Sequence, residues 1–325
     1  MGFLLVILGI VVVLIGTGVV YQNISTRRDK QRFQPPGRLV DAGGCRLHLL
    51  VMGDDKPGPT VILDAGMVSF SSNWAWVQPE IAKVARVVAY DRAGLGWSDP
   101  GPEPRDAAQS ASELQIALQK AGITGPYIVV GHSYGGLTAR AFADMCPDDV
   151  VGMVLVDASH PDQWRHIPAS KDGKRIAAAQ GMARRLAGIG LFRVWDKEAE
   201  TLAAGLPPQQ YAEIKAFCML PASLAVSSNA LSVWDERTRP QINHAGSLGN
   251  MPLFVLSVTE QAMYADVLTQ LQAELSKLST NSRHVTVQGA THEGLVSQRE
   301  YAQAVTDAIL QVVEAARTGQ PLTTV

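Results

Sequence analysis

The sequence predicts an α/β fold: a mostly parallel sheet with helices on both faces, a helical cap inserted into it, and one N-terminal transmembrane helix ahead of it. Three observations carry this expectation. Short apolar runs alternate with amphipathic helical stretches, the pattern of strands joined by crossover helices. One such run, Tyr127-Ile128-Val129-Val130, leads into Gly131-His132-Ser133-Tyr134-Gly135-Gly136 and then into the helix-forming stretch Leu137–Ala143. The first twenty or so residues are almost wholly apolar.

Phe3 to Val20 holds no charged residue. It is about as long as a helix needs to cross a hydrocarbon core, roughly 20 residues. No basic residue precedes it, whereas Arg27, Arg28, Lys30 and Arg32 follow it. A cleaved signal peptide would show a basic start, a shorter apolar core and a small-residue cleavage site. An uncleaved anchor over residues 1–21 is therefore expected, with Tyr21 at the interface and the membrane as a partner through residues 3–20. The positive-inside rule places the body of the chain on the cytoplasmic side. Val6 stands where N-myristoylation needs Ser or Thr, so that modification is set aside. Residues 22–36, polar and ending in Pro35-Pro36, read as a linker.

The body starts at Gly37. Arg38-Leu39-Val40 and Arg46–Val51, separated by Gly43-Gly44, read as a hairpin of edge strands, with His48 on the strand surface. Thr60–Asp64 is a buried strand. Trp74–Val84 has helical spacing, with Ser72 or Asn73 as its cap. Val84–Tyr90 is the next strand, and Asp106–Ala121 is an amphipathic helix begun by an acidic cap. After the serine turn and its helix comes the strand Val150–Val156, ending at Asp157. From residue 158 to 249 the strand rhythm stops. Helical stretches at Arg175–Ala187, Lys197–Ala204 and Gln209–Cys218 are broken by Pro207-Pro208 and Pro221, which reads as a helical cap. The rhythm returns with a strand at Leu253–Val258, a helix at Ala265–Leu278, a strand at His284–Gln288 and a last helix at Glu300–Ala316. Residues 37–157 and 250–325 are thus expected to form one core.

A formal charge of −2 over 325 residues, with no basic block, excludes a nucleic-acid-binding class. Cys45, Cys146 and Cys218 are widely spaced and free of any Cys-x-x-Cys or His/Cys ligand cluster, which argues against a disulfide framework or a structural metal.

Strand, sharp turn carrying one serine, then helix is the G-x-S-x-G layout that strains a nucleophile into exposure. Ser133 then meets the unpaired N–H groups and positive dipole end of a helix, which favour an oxyanion. A serine nucleophile needs a base, an acid to orient it, and oxyanion donors. Of the seven histidines, His292 in Gly289-Ala290-Thr291-His292 lies just past a C-terminal strand, where open α/β sheets place functional groups. His132 adjoins Ser133 in sequence, but its side chain should point away from the nucleophile. His160, His166 and His244 fall in or beside the insertion. The acid has two candidates in the usual chain order, Asp157 and Glu260. The oxyanion donors are expected at the N–H of Tyr134 and, from the loop Gly66-Met67, at the N–H of Met67.

From about Gly37 onward the chain resembles the α/β-hydrolase superfamily. The matching residues are Leu63-Asp64-Ala65-Gly66, Tyr90-Asp91-Arg92-Ala93-Gly94-Leu95-Gly96-Trp97-Ser98, the serine turn, and Gly289-Ala290-Thr291-His292. The resemblance implies an eight-stranded sheet and is similar to that of capped esterases and proline iminopeptidases. It implies that Asp91 and Arg92 lie in a structural loop beside the site. Two features depart from the commonest pattern: Asp64-Ala65-Gly66 replaces the usual His-Gly, and no clear Gly-x-x-Asp follows the seventh strand. The second favours Asp157 over Glu260. A serine at position 133 also differs from the aspartate of epoxide hydrolases and haloalkane dehalogenases. The implied activity is hydrolysis of a carboxylic ester through an acyl-enzyme, with no cofactor and no metal. An amide-cleaving aminopeptidase and a non-catalytic ligand-binding protein are the alternatives.

Overall fold

The computed structural model describes residues 2–167, 173–195, 197–259 and 265–322. Eight strands form one sheet: β1 (Arg38–Asp41), β2 (Arg46–Met52), β3 (Thr60–Asp64), β4 (Val87–Tyr90), β5 (Tyr127–His132), β6 (Val150–Val156), β7 (Leu253–Val258) and β8 (Ser282–Val287). Their spatial order is β1-β2-β4-β3-β5-β6-β7-β8. The β1–β2 and β2–β4 pairs are antiparallel, and every later pair is parallel.

Parallel strands need crossover helices, and these cover both faces of the sheet. Successive side chains of a strand point to opposite faces. Ile62, Val88 and Val129 therefore join one core, with Ala111 and Leu114 of α3 (Ala107–Lys120) and Phe142 of α4 (Gly135–Met145). Val61, Leu63, Val87, Ile128 and Val130 join the other, with Val305, Ile309 and Val312 of α13 (Arg299–Thr318). The α3 helix starts where Asp106 Oδ1 accepts the Gln109 N–H at 2.8 Å.

Residues 158–249 carry helices and, among the described residues, no strand: α5 (Gln163–His166), α6 (Gly173–Gly188), α7 (Lys197–Ala203), α8 (Pro208–Phe217), α9 (Pro221–Ser232), a π-helical turn at Trp234–Thr238 and α10 (Arg239–His244). The α9 helix was not anticipated, because Pro221 reads as a breaker. Pro221 is instead the first helical residue, where a missing N–H costs nothing.

Three further expectations change. The linker over residues 22–36 is helical as far as Arg32, because α1 (Gly2–Arg32) continues through Gln22–Arg32, which contains neither Gly nor Pro. Phe33 then packs on Phe217 at 6.1 Å, and its carbonyl accepts the Trp97 indole N–H at 2.8 Å. The helix expected over Trp74–Val84 is a 3-10 turn at Ser71–Trp74 followed by the short α2 (Gln78–Ile81). Ser72 does not cap it; its hydroxyl donates to Glu213 in α8 at 2.7 Å. His48 is fully buried rather than on the surface. Its Nε2 accepts the Gly37 N–H at 3.0 Å, which leaves Nδ1–H to donate to Asp91 Oδ2 at 3.0 Å.

Candidate active site

β5 runs up the middle of the sheet between β3 and β6, and Ser133 is the first residue beyond it. Its φ is 54°, in the left-handed region that a non-glycine residue rarely occupies. The turn closes so tightly that a Cβ on Gly131 would stand 2.5 Å from the Gly135 carbonyl carbon. Glycine at the other end has a different cause: a Cβ on Gly135 would overlap the Asp64 carbonyl oxygen at the end of β3. Past the turn, α4 leads away from the serine.

His132 on β5 is in register with Val156 on β6, so the next residues, Ser133 and Asp157, emerge side by side. Among the described residues, Asp157 is the other non-glycine residue with positive φ, at 40°. Its N–H is held by the Leu256 carbonyl of β7 at 2.7 Å. His292 sits between β8 and α12 (Gly294–Ser297). Its Nδ1 lies 2.5 Å from Asp157 Oδ2, although 135 residues separate the two in sequence. The Asp157 side chain is buried, whereas His292 is about one-third exposed, at 32%. Glu260, the other candidate acid, lies outside the described residues.

Burial disfavours the charged form of His292, but the hydrogen bond and negative charge of Asp157 outweigh it and hold its pKa above the usual histidine value. His132 behaves oppositely. Burial, and then the neighbouring His292, push its pKa well below the usual value. It lies against His292, with ring centroids 4.7 Å apart. Its Nε2–H donates to the His292 carbonyl at 3.0 Å. A neutral histidine thus braces the backbone of the second one, a role that the sequence pattern did not signal. Among the described residues, Ser133 Oγ makes no hydrogen bond, and the residue is partly open to solvent.

The Asp64-Ala65-Gly66-Met67 loop closes the other side. A Cβ on Gly66 would lie 3.5 Å from Ser133 Cβ. Among the described residues, neither the Met67 nor the Tyr134 N–H donates to a protein acceptor. The buried guanidinium of Arg92 grips this loop: Nη1 donates to Asp64 and, at 2.6 Å, to the Ala65 carbonyl, while Nη2 donates to the Gly66 carbonyl. Tyr90 donates to the second Asp64 oxygen at 2.6 Å. The departure from His-Gly therefore has a partner: Asp64 pairs with Arg92, just past the neighbouring strand β4. Among the described residues, no three His, Cys, Asp or Glu side chains converge as a metal site.

Eight strands in this order, with a tight serine turn at the carboxyl end of β5, make up the α/β-hydrolase fold. Residues 61–308 match the Alpha/beta hydrolase family, and the chain belongs to it. Over 136 residues it is 37% identical to a Hormonema carpetanum protein named as a probable transporter, covering 40% of this chain and 20% of that one. Over 129 residues it is 30% identical to epoxide hydrolase 3 of Xenopus tropicalis, covering 39% of this chain and 34% of that one. The chain spans less than half the length of the curated relatives it matches first. Among solved structures, a thermophilic esterase from Thermogutta terrifontis superposes with a TM-score of 0.64 at 20% identity, covering 85% of this chain and 98% of that one. At that identity the likeness speaks for the fold.

Proposed function

We propose that this hydrolase is a serine esterase in which Ser133, His292 and Asp157 act as one unit. The observation that carries the reading is the 2.5 Å contact between Asp157 and His292, beside a serine held at φ 54° on the turn after β5. His292 takes the Ser133 proton as the hydroxyl attacks an ester carbonyl. Asp157 fixes the imidazole with its proton on Nδ1 and stabilises the cation that forms. The N–H groups of Tyr134 and Met67 receive the oxyanion. The alcohol leaves with a proton from His292, and water activated by the same histidine then cleaves the acyl-enzyme. Epoxide opening on this fold uses a carboxylate nucleophile, and position 133 offers a hydroxyl. Residues 158–249 act as a cap over the core, and α1 anchors the protein in a membrane with its body on the cytoplasmic side. The helix is long and apolar enough for that role.

A fluorophosphonate probe tests the nucleophile. The expected result is covalent labelling of Ser133 and hydrolysis of short p-nitrophenyl esters, both abolished in Ser133→Ala with an unchanged circular dichroism spectrum. Unlabelled Ser133 in folded protein, or full activity in the variant, would overturn the reading.

A further inference from the structure

The helical insertion touches α1 at one corner, the turn that follows α6. A Cβ on Gly18 would overlap the Ile189 carbonyl oxygen, and one on Gly190 would stand 3.0 Å from the Tyr21 ring. Two glycines thus allow backbone to meet helix directly. Three residues later, Arg193 reaches back along the same helix. It donates to Gln22 Oε1 at 2.8 Å, Thr26 Oγ1 at 3.0 Å and Asp29 Oδ2 at 2.6 Å. These partners and Gly18 fall on one face, at helical spacings.

The depth of this contact matters. The apolar run ends at Val20, so Gly18 lies about 3 Å inside its end at 1.5 Å per residue. Asp29 lies about 16 Å further along by the same rise. The corner therefore straddles the boundary between apolar and polar helix. At that level it presents Leu191, Val194 and Trp195, which are 42%, 81% and 66% exposed. On α1 itself, Val19, Val20, Tyr21 and Ile24 are exposed at the end of the apolar run. Arg27, Arg28 and Lys30 are exposed on the polar side of the same boundary.

We propose that the Ile189–Trp195 corner seats in the interfacial layer of the bilayer that α1 enters, tying the insertion to the membrane surface. This rests on the reading of α1 as a membrane anchor. A tryptophan and two aliphatic side chains beside a spanning helix match the chemistry of the interface, apolar toward the chains and polar toward the headgroups. The flanking cations suit anionic lipid.

The test uses the full-length protein in phosphatidylcholine–phosphatidylglycerol vesicles with acyl chains brominated near the headgroup. Bromine quenches tryptophan at short range, and α1 contains no tryptophan. Emission from the wild type should be quenched relative to unbrominated vesicles, and Trp195→Phe should lose most of that quenching. Arg193→Ala should weaken it while still floating with the vesicles. Flotation with identical quenching in wild type and Trp195→Phe would overturn the seated corner and leave the anchor standing. Unchanged quenching in Arg193→Ala would overturn the clamp. Failure to float would overturn the anchor, and the corner with it.

Discussion

At the residue scale, the proposed chemistry depends on His292 being neutral when the serine attacks. Its pKa lies above the usual histidine value because Asp157 favours the cation more than burial opposes it. The acid limb of the pH–rate profile should therefore fall above about 6.5. Asp157→Asn removes that charge and should move the limb down while lowering kcat about 10³–10⁴-fold. Steady-state kinetics across pH checks both, and a wild-type limb at or below about 6.5 would refute the upward shift. Linkage gives stability the opposite sign: the contribution of this bond is fully present below the unfolded histidine pKa and is lost as pH rises through the folded one. Arg92 is a positioning residue, because it touches the Ala65 and Gly66 carbonyls rather than the serine. A lysine cannot reproduce its fork. Arg92→Lys should lower kcat roughly 10–100-fold, the scale of a small misplacement, with KM nearly unchanged. An equal loss in both terms, or none, would remove that role.

At the element scale, strand register decides which residues meet. β5 and β6 are aligned so that Ser133 and Asp157 leave the sheet together, and both pay for the position with positive φ. Periodicity locates such strands but not their neighbours, so an acid after β6 and one after β7 look alike along the chain. Helix ends were more legible. Asp106 opens α3 and also accepts Arg237 Nε at 2.5 Å, tying that helix to the π-helical turn. Asp106→Ala removes the cap and the pair and should destabilise the fold by about 1–2 kcal/mol. Urea unfolding should show a lower midpoint at unchanged slope, and an unshifted midpoint would mean that the cap contributes nothing.

At the scale of the whole molecule, α1 is more than a tether. Its polar half binds Arg193, and Phe33 just beyond it enters the cluster of Phe70, Trp97 and Phe217. Removal of residues 1–20 takes away exposed apolar surface and the contact of Gly18 with Ile189. The remaining chain should stay in the supernatant after ultracentrifugation and keep the proposed esterase activity. Removal of residues 1–34 also takes Phe33 from the cluster and all three partners from Arg193. That variant should melt at a clearly lower temperature than the shorter deletion. Equal melting temperatures would show that the helix makes no contribution beyond residue 20.

The sequence by itself determined the fold class, the strained serine turn, the histidine past the last strand and the apolar helix. Each is a local signal: a run, a period or a glycine spacing that must hold whatever the rest of the chain does. Only the tertiary structure decided how these parts meet. His48 and Asp91 face each other because neighbouring strands align, not because of any spacing. The same holds for Arg92 against Asp64, whereas His132 meets His292 although β6 and β7 lie between their strands. A buried polar group must find a partner, and nothing in the linear chain says which distant atom that will be. Asp157 is the sharpest case. Its strand ending was visible, but its place beside His292 comes from parallel pairing that brings residues 135 positions apart to 2.5 Å.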